Sequence, residues 1–434
     1  MLSLIGLVAA LLLLMWVTLR GANPLVSAPV CAILIAVTGG LSFFPGGGAE
    51  HNYVESYMAG FTSFIGSWFF MFLLGSIFGK LMEDSGAAAS VAHWILHKFG
   101  SQHAPLAVVL ACAILTYGGV SVFIVAFSVY PVAVGLFKVA NMPRRFIPGC
   151  LTFGSATFTM TSAGSPEIQN WIPIEFLGTS PYAAWQESLV VALIMAALGY
   201  YLLTRMVGNA LANGEVFIAR EDDPEGCAQE LPNPLLSLLP LVAVLGFSFT
   251  FHASLGKYAL VIALGAGCVM TWIVNFKALK NPGAALGIGA MGALVAIGNT
   301  AAVVGFGTVA KASPAFDLAV SWLTALPGNE LIGASIAVTV ICALTGSASG
   351  GQSIALPAVA PHYIEEGVDP EELHRMVAIA SGGLDSLPHN GYVVTTIRAI
   401  CGENYQNAYG PVAVLTVLVP IVGMVVALSL FTIF

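Results

Sequence analysis

Charged residues are scarce in this 434-residue chain, at 8% of the sequence, whereas 58% of its residues are hydrophobic. A soluble domain carries about a quarter charged residues, so the composition excludes an ordinary soluble fold and predicts a polytopic membrane protein. The longest basic cluster is Arg144-Arg145, which excludes nucleic acid as a partner. The lipid bilayer is therefore the expected surrounding.

The chain also lacks the patterns of enzymes and metal sites. Its seven cysteines are scattered without a CxxC pair, which excludes a zinc site or a disulfide framework. P-loop, HExxH and nucleophile-elbow patterns are absent too. We therefore expect a protein that is not an enzyme and needs no cofactor, and whose only bound ion is a coupling ion.

Apolar runs long enough to cross a membrane, which takes about 20 residues, dominate the rest of the sequence. They lie at 2–19, 25–44, 60–82, 182–206, 235–251, 258–276, 284–310 and 409–433. The run at 2–19 has no preceding basic residue and no clear cleavage site, so we expect it to be a retained span. The regions between them, 101–178 and 329–401, are apolar but interrupted by Gly, Ser, Thr and Pro.

A repeat relates the two halves of the chain. A shift of 228 residues places Phe78-Gly79 on Phe306-Gly307 and Gly118 on Gly346, and special features follow in the same order. This predicts an all-α polytopic fold of two repeats with five transmembrane helices each, 1–207 and 234–434, joined by a cytoplasmic linker, 208–233. Each repeat contains a re-entrant hairpin (about 101–137 and 329–366) and a broken helix (about 146–178 and 371–401).

The odd number of crossings makes the predicted repeats inverted relative to each other. With both termini outside, eleven of the 14 Lys and Arg residues fall at cytoplasmic ends, as the positive-inside rule requires. The expected location is the cell (inner) membrane.

The most informative stretch is SGGLDSLPHNG, Ser381 to Gly391, where glycines and a proline must open a helix. Broken helices of this kind hold substrate and coupling ion in secondary transporters. We expect Asp385 to hold a proton or cation, and Ser386, His389 and Asn390 to meet an anionic substrate, with His389 as a second coupling candidate. In the alternative, Asp385 only caps the following half-helix.

The equivalent break in the first half is Thr157 to Ser165, TFTMTSAGS. Its candidate substrate ligands are Thr161, Ser162 and Ser165, and the following Glu167 is a further coupling candidate. In the alternative, these hydroxyls only bond to carbonyls of their own helix.

Glycine and hydroxyl residues mark both predicted hairpin tips, TYGGVS in the first half and TGSASGGQS in the second. Such residues let helices pack closely, but a turn followed by a helix N-terminus also presents N–H groups to an anion. The tip candidates are Tyr117, Gly118, Gly119, Ser121, Thr345, Ser347, Ser349, Gly350 and Gly351. Since no Lys or Arg falls in the breaks, a small monoanion is expected.

Three segments resemble the gluconate permease family of the ion-transporter superfamily: FGKLMEDSGAAASVA (78–92), TGSASGG (345–351) and ASGGLDSLPHNG (380–391). The resemblance implies proton-coupled symport of gluconate-like sugar acids or of hydroxycarboxylates such as 3-hydroxybutyrate. It also implies a homodimer in which a transport domain moves against a scaffold like an elevator. The matching positions would be Ser347, Ser349, Gly350, Asp385, Ser386, His389 and Asn390. The Ser-Asn-Thr tips of sodium–dicarboxylate symporters are absent, so sodium coupling is less expected than proton coupling.

Three alternatives stay open at this point. A cation/proton antiporter of the same superfamily would use Asp385 without an organic anion, although hydroxyl-rich tips favour anion binding. The chain would need soluble partners if it were the membrane subunit of a binding-protein-dependent tripartite carboxylate transporter. A channel is disfavoured, because paired breaks in inverted halves are typical of alternating access.

Overall fold

The computed structural model describes residues 2–20, 22–45, 51–99, 103–221, 223, 231–316, 318, 330–388 and 390–433. Regular structure in these ranges is helical, apart from one isolated bridge between Ser42 and Asn52. The predicted all-α fold is thereby confirmed. Within the described ranges, six helices are long and apolar enough to cross a membrane, and several shorter apolar helices accompany them.

The first half begins with three helices and a short fourth one, and then contains a helical hairpin and an interrupted helix before its last long helix. The helices are α1 (Leu2–Leu19), α2 (Pro24–Gly39), α3 (Tyr53–Asp84), α4 (Ala87–Phe99), α5 (Ala104–Tyr117), α6 (Val122–Val139), α7 (Ile147–Ala156), α8 (Ile172–Leu177) and α9 (Trp185–Ala212).

The second half follows a similar order, and the predicted short helix at 313–326 lies mostly outside the described residues. Its helices are α10 (Pro234–Leu255), α11 (Tyr258–Val274), α12 (Pro282–Lys311), α13 (Glu330–Thr345), α14 (Ala348–Glu365), α15 (Pro370–Ser381), α16 (Gly391–Val394, continued by a π-helical turn, Thr395–Ile400), α17 (Tyr405–Ala413) and α18 (Val419–Ile433). The inverted orientation of the two halves stays a prediction.

Helices α3 and α12 pack closely along each other, and small residues make this possible. A Cβ on Gly305 would lie 2.9 Å from the carbonyl oxygen of Tyr57, and one on Gly60 would overlap the Thr308 side chain. The Tyr57 hydroxyl also donates to the carbonyl of Ala302 at 3.0 Å. This pair packs against one helix of each hairpin, since Gly79 of α3 meets Ile124 of α6 and Gly307 of α12 meets Ile354 of α14.

An ion-pair network joins the described part of the linker to the rest of the chain. Arg144, at the start of the first interrupted helix, contacts Asp223 of the linker at 2.6 Å and Glu403 at 2.8 Å. Arg220 of the linker also pairs with Glu403 at 2.9 Å. The linker therefore contacts both interrupted helices. Arg144 stabilises this contact in addition to its predicted effect on topology.

Candidate functional site

The two interrupted segments touch each other. Helix α7 ends at Ala156, and no helix resumes until the short turn Ile168–Asn170. Helix α15 ends at Ser381, where Gly382 and Gly383 follow. A Cβ on Gly382 would lie 3.2 Å from Cγ2 of Thr161, so the two breaks are in van der Waals contact. Thr161 and Asp385 are 3% and 6% exposed. The breaks thus meet inside the protein.

Asn390 ties the second break to the second hairpin tip. Its Nδ2 donates to the carbonyls of Gly346 at 3.1 Å and Asp385 at 3.0 Å. Its Oδ1 accepts from the backbone N–H of Val393 and caps α16. Since both amide hydrogens are used within the protein, Asn390 positions the tip in this arrangement.

Asp385 pairs with the neighbouring serine and does not cap the helix. Ser386 Oγ donates to Asp385 Oδ1 at 3.0 Å, and the cap of α16 is Asn390. Helix α17 holds the segment from the other side, because the Tyr409 hydroxyl donates to the carbonyl of Ser386 and the Tyr405 hydroxyl to that of Pro388. The structure therefore disfavours the capping alternative. His389 lies outside the described residues.

Hydroxyls and glycines shape the second tip. Ser347 Oγ accepts from the N–H of Gly350 at 3.1 Å, which caps the N-terminus of α14. Thr345 Oγ1 donates within the turn, and Ser349 is buried. A Cβ on Gly351 would lie 2.4 Å from Sγ of Cys342, so only glycine lets α13 and α14 approach this closely. The second tip therefore combines close packing of its two helices with a helix N-terminus at the turn.

The first tip packs against the first break in a similar way. The Tyr117 hydroxyl donates to the carbonyl of Ala163. Gly119 has φ +92°, and a Cβ there would lie 3.6 Å from Pro166. Gly118 abuts Leu241 of α10, while Ser121 precedes α6 without a side-chain capping bond.

The hydroxyls of the first break bond locally. Thr161 Oγ1 and Ser162 Oγ donate to the carbonyls of Thr157 and Phe158, four residues earlier. Ser165 Oγ accepts from the N–H of Glu167 at 3.3 Å, and this places Glu167 at the start of the following turn. In this arrangement these hydroxyls stabilise the opened backbone, as the alternative reading predicts.

A cavity of about 850 Å³ lies between the first tip, the first break, α9 and α10. Of the predicted residues, Tyr117, Gly118 and Ser162 line it, together with mostly apolar and aromatic side chains such as Trp185. Of the described residues of the second tip and second break, none lines this cavity. The predicted set therefore forms two groups, one along the cavity and one buried around Asp385.

Arg375 is the main residue that the sequence reasoning missed. The positive-inside pattern leaves it among the three Lys and Arg residues at outer ends of spans, and its side chain is 0% exposed. Its guanidinium donates to the carbonyl of Thr161 at 2.7 Å and to Oδ1 of Asn170 at 2.9 Å. Further bonds reach the carbonyls of Pro181 and Ala183. The described ion pairs do not include it, so a buried positive charge stands behind the first break.

Gln352 links three elements and was named only as part of the second tip. It is 0% exposed, and its Nε2 donates to the carbonyl of Gln169 and to Ser381 Oγ, both at 3.0 Å. Helix α14 is thereby fixed to the first break and to the end of α15. In the sequence, the one indication of this role is that Gln352 stands in one hydroxyl-rich segment and Gln169 follows the other.

Comparisons with known protein sequences show the family, and a solved structure shows the fold. A family model described as "GntP family permease" matches residues 1–245. The chain is 35% identical to the uncharacterized transporter YxjC of Bacillus subtilis over 96% of both chains. It is 32% identical to a gluconate permease of Bacillus subtilis over 27% of this chain and 24% of that protein. The crystal structure of the Alcanivorax borkumensis YdaH transporter has the same fold, with a TM-score of 0.58, 14% identity and coverage of 100% and 99%.

Proposed function

Because this chain belongs to the GntP family of permeases, we propose that it is a secondary active transporter that carries a small hydroxycarboxylate together with protons. One observation carries the proposal: the first interrupted helix meets the second at Thr161 and Gly382, and Asn390 joins the second break, with its buried Asp385 and Ser386, to a hairpin tip. Polar non-helical backbone inside a membrane is expected only where it is enclosed by protein or lines a cavity. Relatives named for gluconate support the substrate class.

Charge and hydrogen bonding around the breaks favour an organic anion. The buried guanidinium of Arg375 has no carboxylate partner among the described ion pairs, so it makes the potential at the first break positive. The N-terminus of the 18-residue helix α14 lies at the second tip, where the helix dipole favours an anion. A single carboxylate matches this donor set better than a polyanion does.

Asp385 and Ser386 offer a direct link between proton and substrate. In the ionised form, the Asp385 carboxylate accepts the hydroxyl hydrogen of Ser386. Protonation of the carboxyl turns it into a donor and releases the serine hydrogen toward an incoming carboxylate. Both groups then favour the anion only after a proton has bound. Proton and substrate would therefore bind cooperatively, as symport requires.

The transport movement belongs to the same proposal. We assign the hairpins and interrupted helices to a transport domain, and α3 and α12 to a scaffold through which two copies dimerise. The inverted repeats would provide outward-open and inward-open arrangements of equal architecture. The cavity along α10 would be the access route on one side.

Uptake by purified protein in liposomes tests the proposal. Liposomes with an alkaline interior and no sodium are offered labelled gluconate and 3-hydroxybutyrate, and protein-free liposomes serve as the control. We expect accumulation of at least one acid that collapses when a protonophore removes the pH gradient. Uptake that needs sodium and ignores pH refutes the proton coupling. Cation exchange for protons without uptake of any carboxylate would establish an antiporter instead.

A further inference from the structure

Two buried amide oxygens near the meeting point of the breaks have no hydrogen-bond donor among the described residues. They are Oε1 of Gln352 on α14 and Oε1 of Gln169 in the turn after the first break. The two side chains belong to neighbouring segments, because Gln352 Nε2 donates to the backbone carbonyl of Gln169. Buried acceptors are normally paired in native structures, so each exception calls for a partner.

The orientation of the Gln352 amide follows from its contacts. The Gln169 carbonyl can only accept, so the Gln352 atom that faces it at 3.0 Å must be the nitrogen. The second hydrogen of this nitrogen is used by Ser381 Oγ at 3.0 Å. Both amide hydrogens are thus engaged, and Oε1 is held in one direction with its lone pairs free.

The missing partner must be a donor. A substrate carboxylate only accepts hydrogen bonds, so it cannot satisfy these two oxygens. A hydroxyl group on the same substrate can, since it donates one hydrogen to an amide oxygen. The N-terminus of α14 and the Ser386 hydroxyl offer donors to a carboxylate, and Gln352, in the first turns of α14, and Gln169 offer acceptors to a hydroxyl. A substrate that carries both groups would match both sets.

We propose that Gln169 and Gln352 are specificity-determining residues whose side-chain oxygens accept hydrogen bonds from the hydroxyl groups of the substrate. This inference rests on the proposed function and explains why the transporter would select hydroxycarboxylates over plain carboxylates. A site built to bind a hydroxyl rejects an analogue without it, because its buried acceptors then stay unpaired.

The test compares 3-hydroxybutyrate with butyrate, and gluconate with 3-deoxygluconate, as competitors of uptake in liposomes. Wild-type protein should prefer each hydroxy acid at least about tenfold. Gln169→Met keeps the backbone carbonyl that Gln352 needs and removes the side-chain amide that carries the acceptor. In this variant the preference should fall to within about threefold, through weaker binding of the hydroxy acid with unchanged binding of the deoxy acid.

Two variants of neighbouring groups separate recognition from packing. Gln352→Met should also lose the preference. Ser381→Ala removes one partner of the Gln352 nitrogen but neither acceptor, so it should keep the preference. A merely structural role would weaken hydroxy and deoxy acids equally in all of these proteins.

The outcomes are distinguishable from a failure of the proposed function. Wild-type protein that takes up no acid of either pair refutes both the function and this inference. Wild-type preference that persists in Gln169→Met and Gln352→Met refutes the inference alone.

Discussion

Replacement of Arg375 by methionine is the sharpest single perturbation that the structure offers. The side chain is 0% exposed and makes five hydrogen bonds to four oxygen atoms. Three are the carbonyls of Thr161, Pro181 and Ala183, and the fourth is Oδ1 of Asn170. One guanidinium therefore holds together four residues of the chain that runs from the first break to the start of α9. Methionine fills a similar volume but donates nothing.

The expected loss follows from these contacts. The Pro181 carbonyl keeps the N–H of Gly164 and Nδ2 of Asn170 as donors. A buried acceptor without a donor costs about 1–3 kcal/mol, so the other three oxygens set an upper range of about 3–9 kcal/mol. Removal of the guanidinium also removes the cost of burying its charge, which offsets part of this loss. Rearranged water or backbone can satisfy some oxygens. We expect Arg375→Met to reduce the free energy of unfolding by about 3–5 kcal/mol.

Thermal denaturation of detergent-solubilised protein measures this effect. Arg205→Met is the matched control, because the Arg205 guanidinium is exposed and bonds only within its helix, to the Tyr201 hydroxyl at 3.0 Å. Its effect should stay within about 0.5 kcal/mol. A midpoint for Arg375→Met equal to that of the control would refute the reasoning.

Arg375→Lys separates folding from positioning. An ammonium keeps the charge, but it cannot reach four oxygens in the planar geometry of a guanidinium. This variant should fold. KM for the transported acid should rise about tenfold, which corresponds to a loss of about 1.4 kcal/mol in binding free energy, because the binding group is misplaced. The maximal rate should change less. Wild-type KM in Arg375→Lys would show that the arginine has no influence on the site.

Three further predictions concern coupling, the linker and the second hairpin. Asp385→Asn should leave carboxylate binding measurable but abolish its dependence on the pH gradient, and gradient-driven accumulation in this variant would contradict the coupling role. Glu403→Gln breaks the buried pair with Arg144 and should cost about 3–5 kcal/mol in thermal denaturation, whereas Glu215→Gln breaks an exposed pair and should cost below about 1 kcal/mol. Because the hydrogen bond from its arginine partner lowers the pKa of Glu215, that small stabilisation is complete above the unfolded pKa and is lost as the pH falls through the lower folded pKa. Gly351→Val should reduce the yield of folded protein, since its side chain would overlap α13, and normal yield would mean that the hairpin can open.

Local composition was sufficient to predict the helices and the places where they stop. Apolar runs of spanning length correspond to long helices such as α9 and α12, because a hydrocarbon environment requires internally satisfied backbone. Gly382 and Gly383 follow directly on the last residue of α15, as expected of residues that weaken a helix. These features depend on a few consecutive residues, which a single sequence displays.

Partners that are distant in the sequence could not be predicted. Arg375 bonds to carbonyls 192 to 214 residues away, and no local pattern encodes backbone carbonyls as ligands. An arginine near the end of an apolar run usually faces water at the membrane surface. The sequence pattern therefore gave no indication that Arg375 is buried inside the protein. Likewise, Asp385 and Asn390 are both suitable helix caps, and only the path of the backbone gives that role to Asn390.

The buried charges constrain which substrate this centre can hold. Arg375 contributes one positive charge, and none of the described ion pairs includes it. Asp385 contributes an acidic group at the second break. In our proposal Asp385 is protonated when the substrate binds, so a monocarboxylate would balance the charge of Arg375. A dicarboxylate would leave one negative charge uncompensated in a low-dielectric interior, where such a charge costs several kcal/mol. Under this proposal, selection of monocarboxylates follows from Arg375 and from Asp385, the residue that couples the proton to transport.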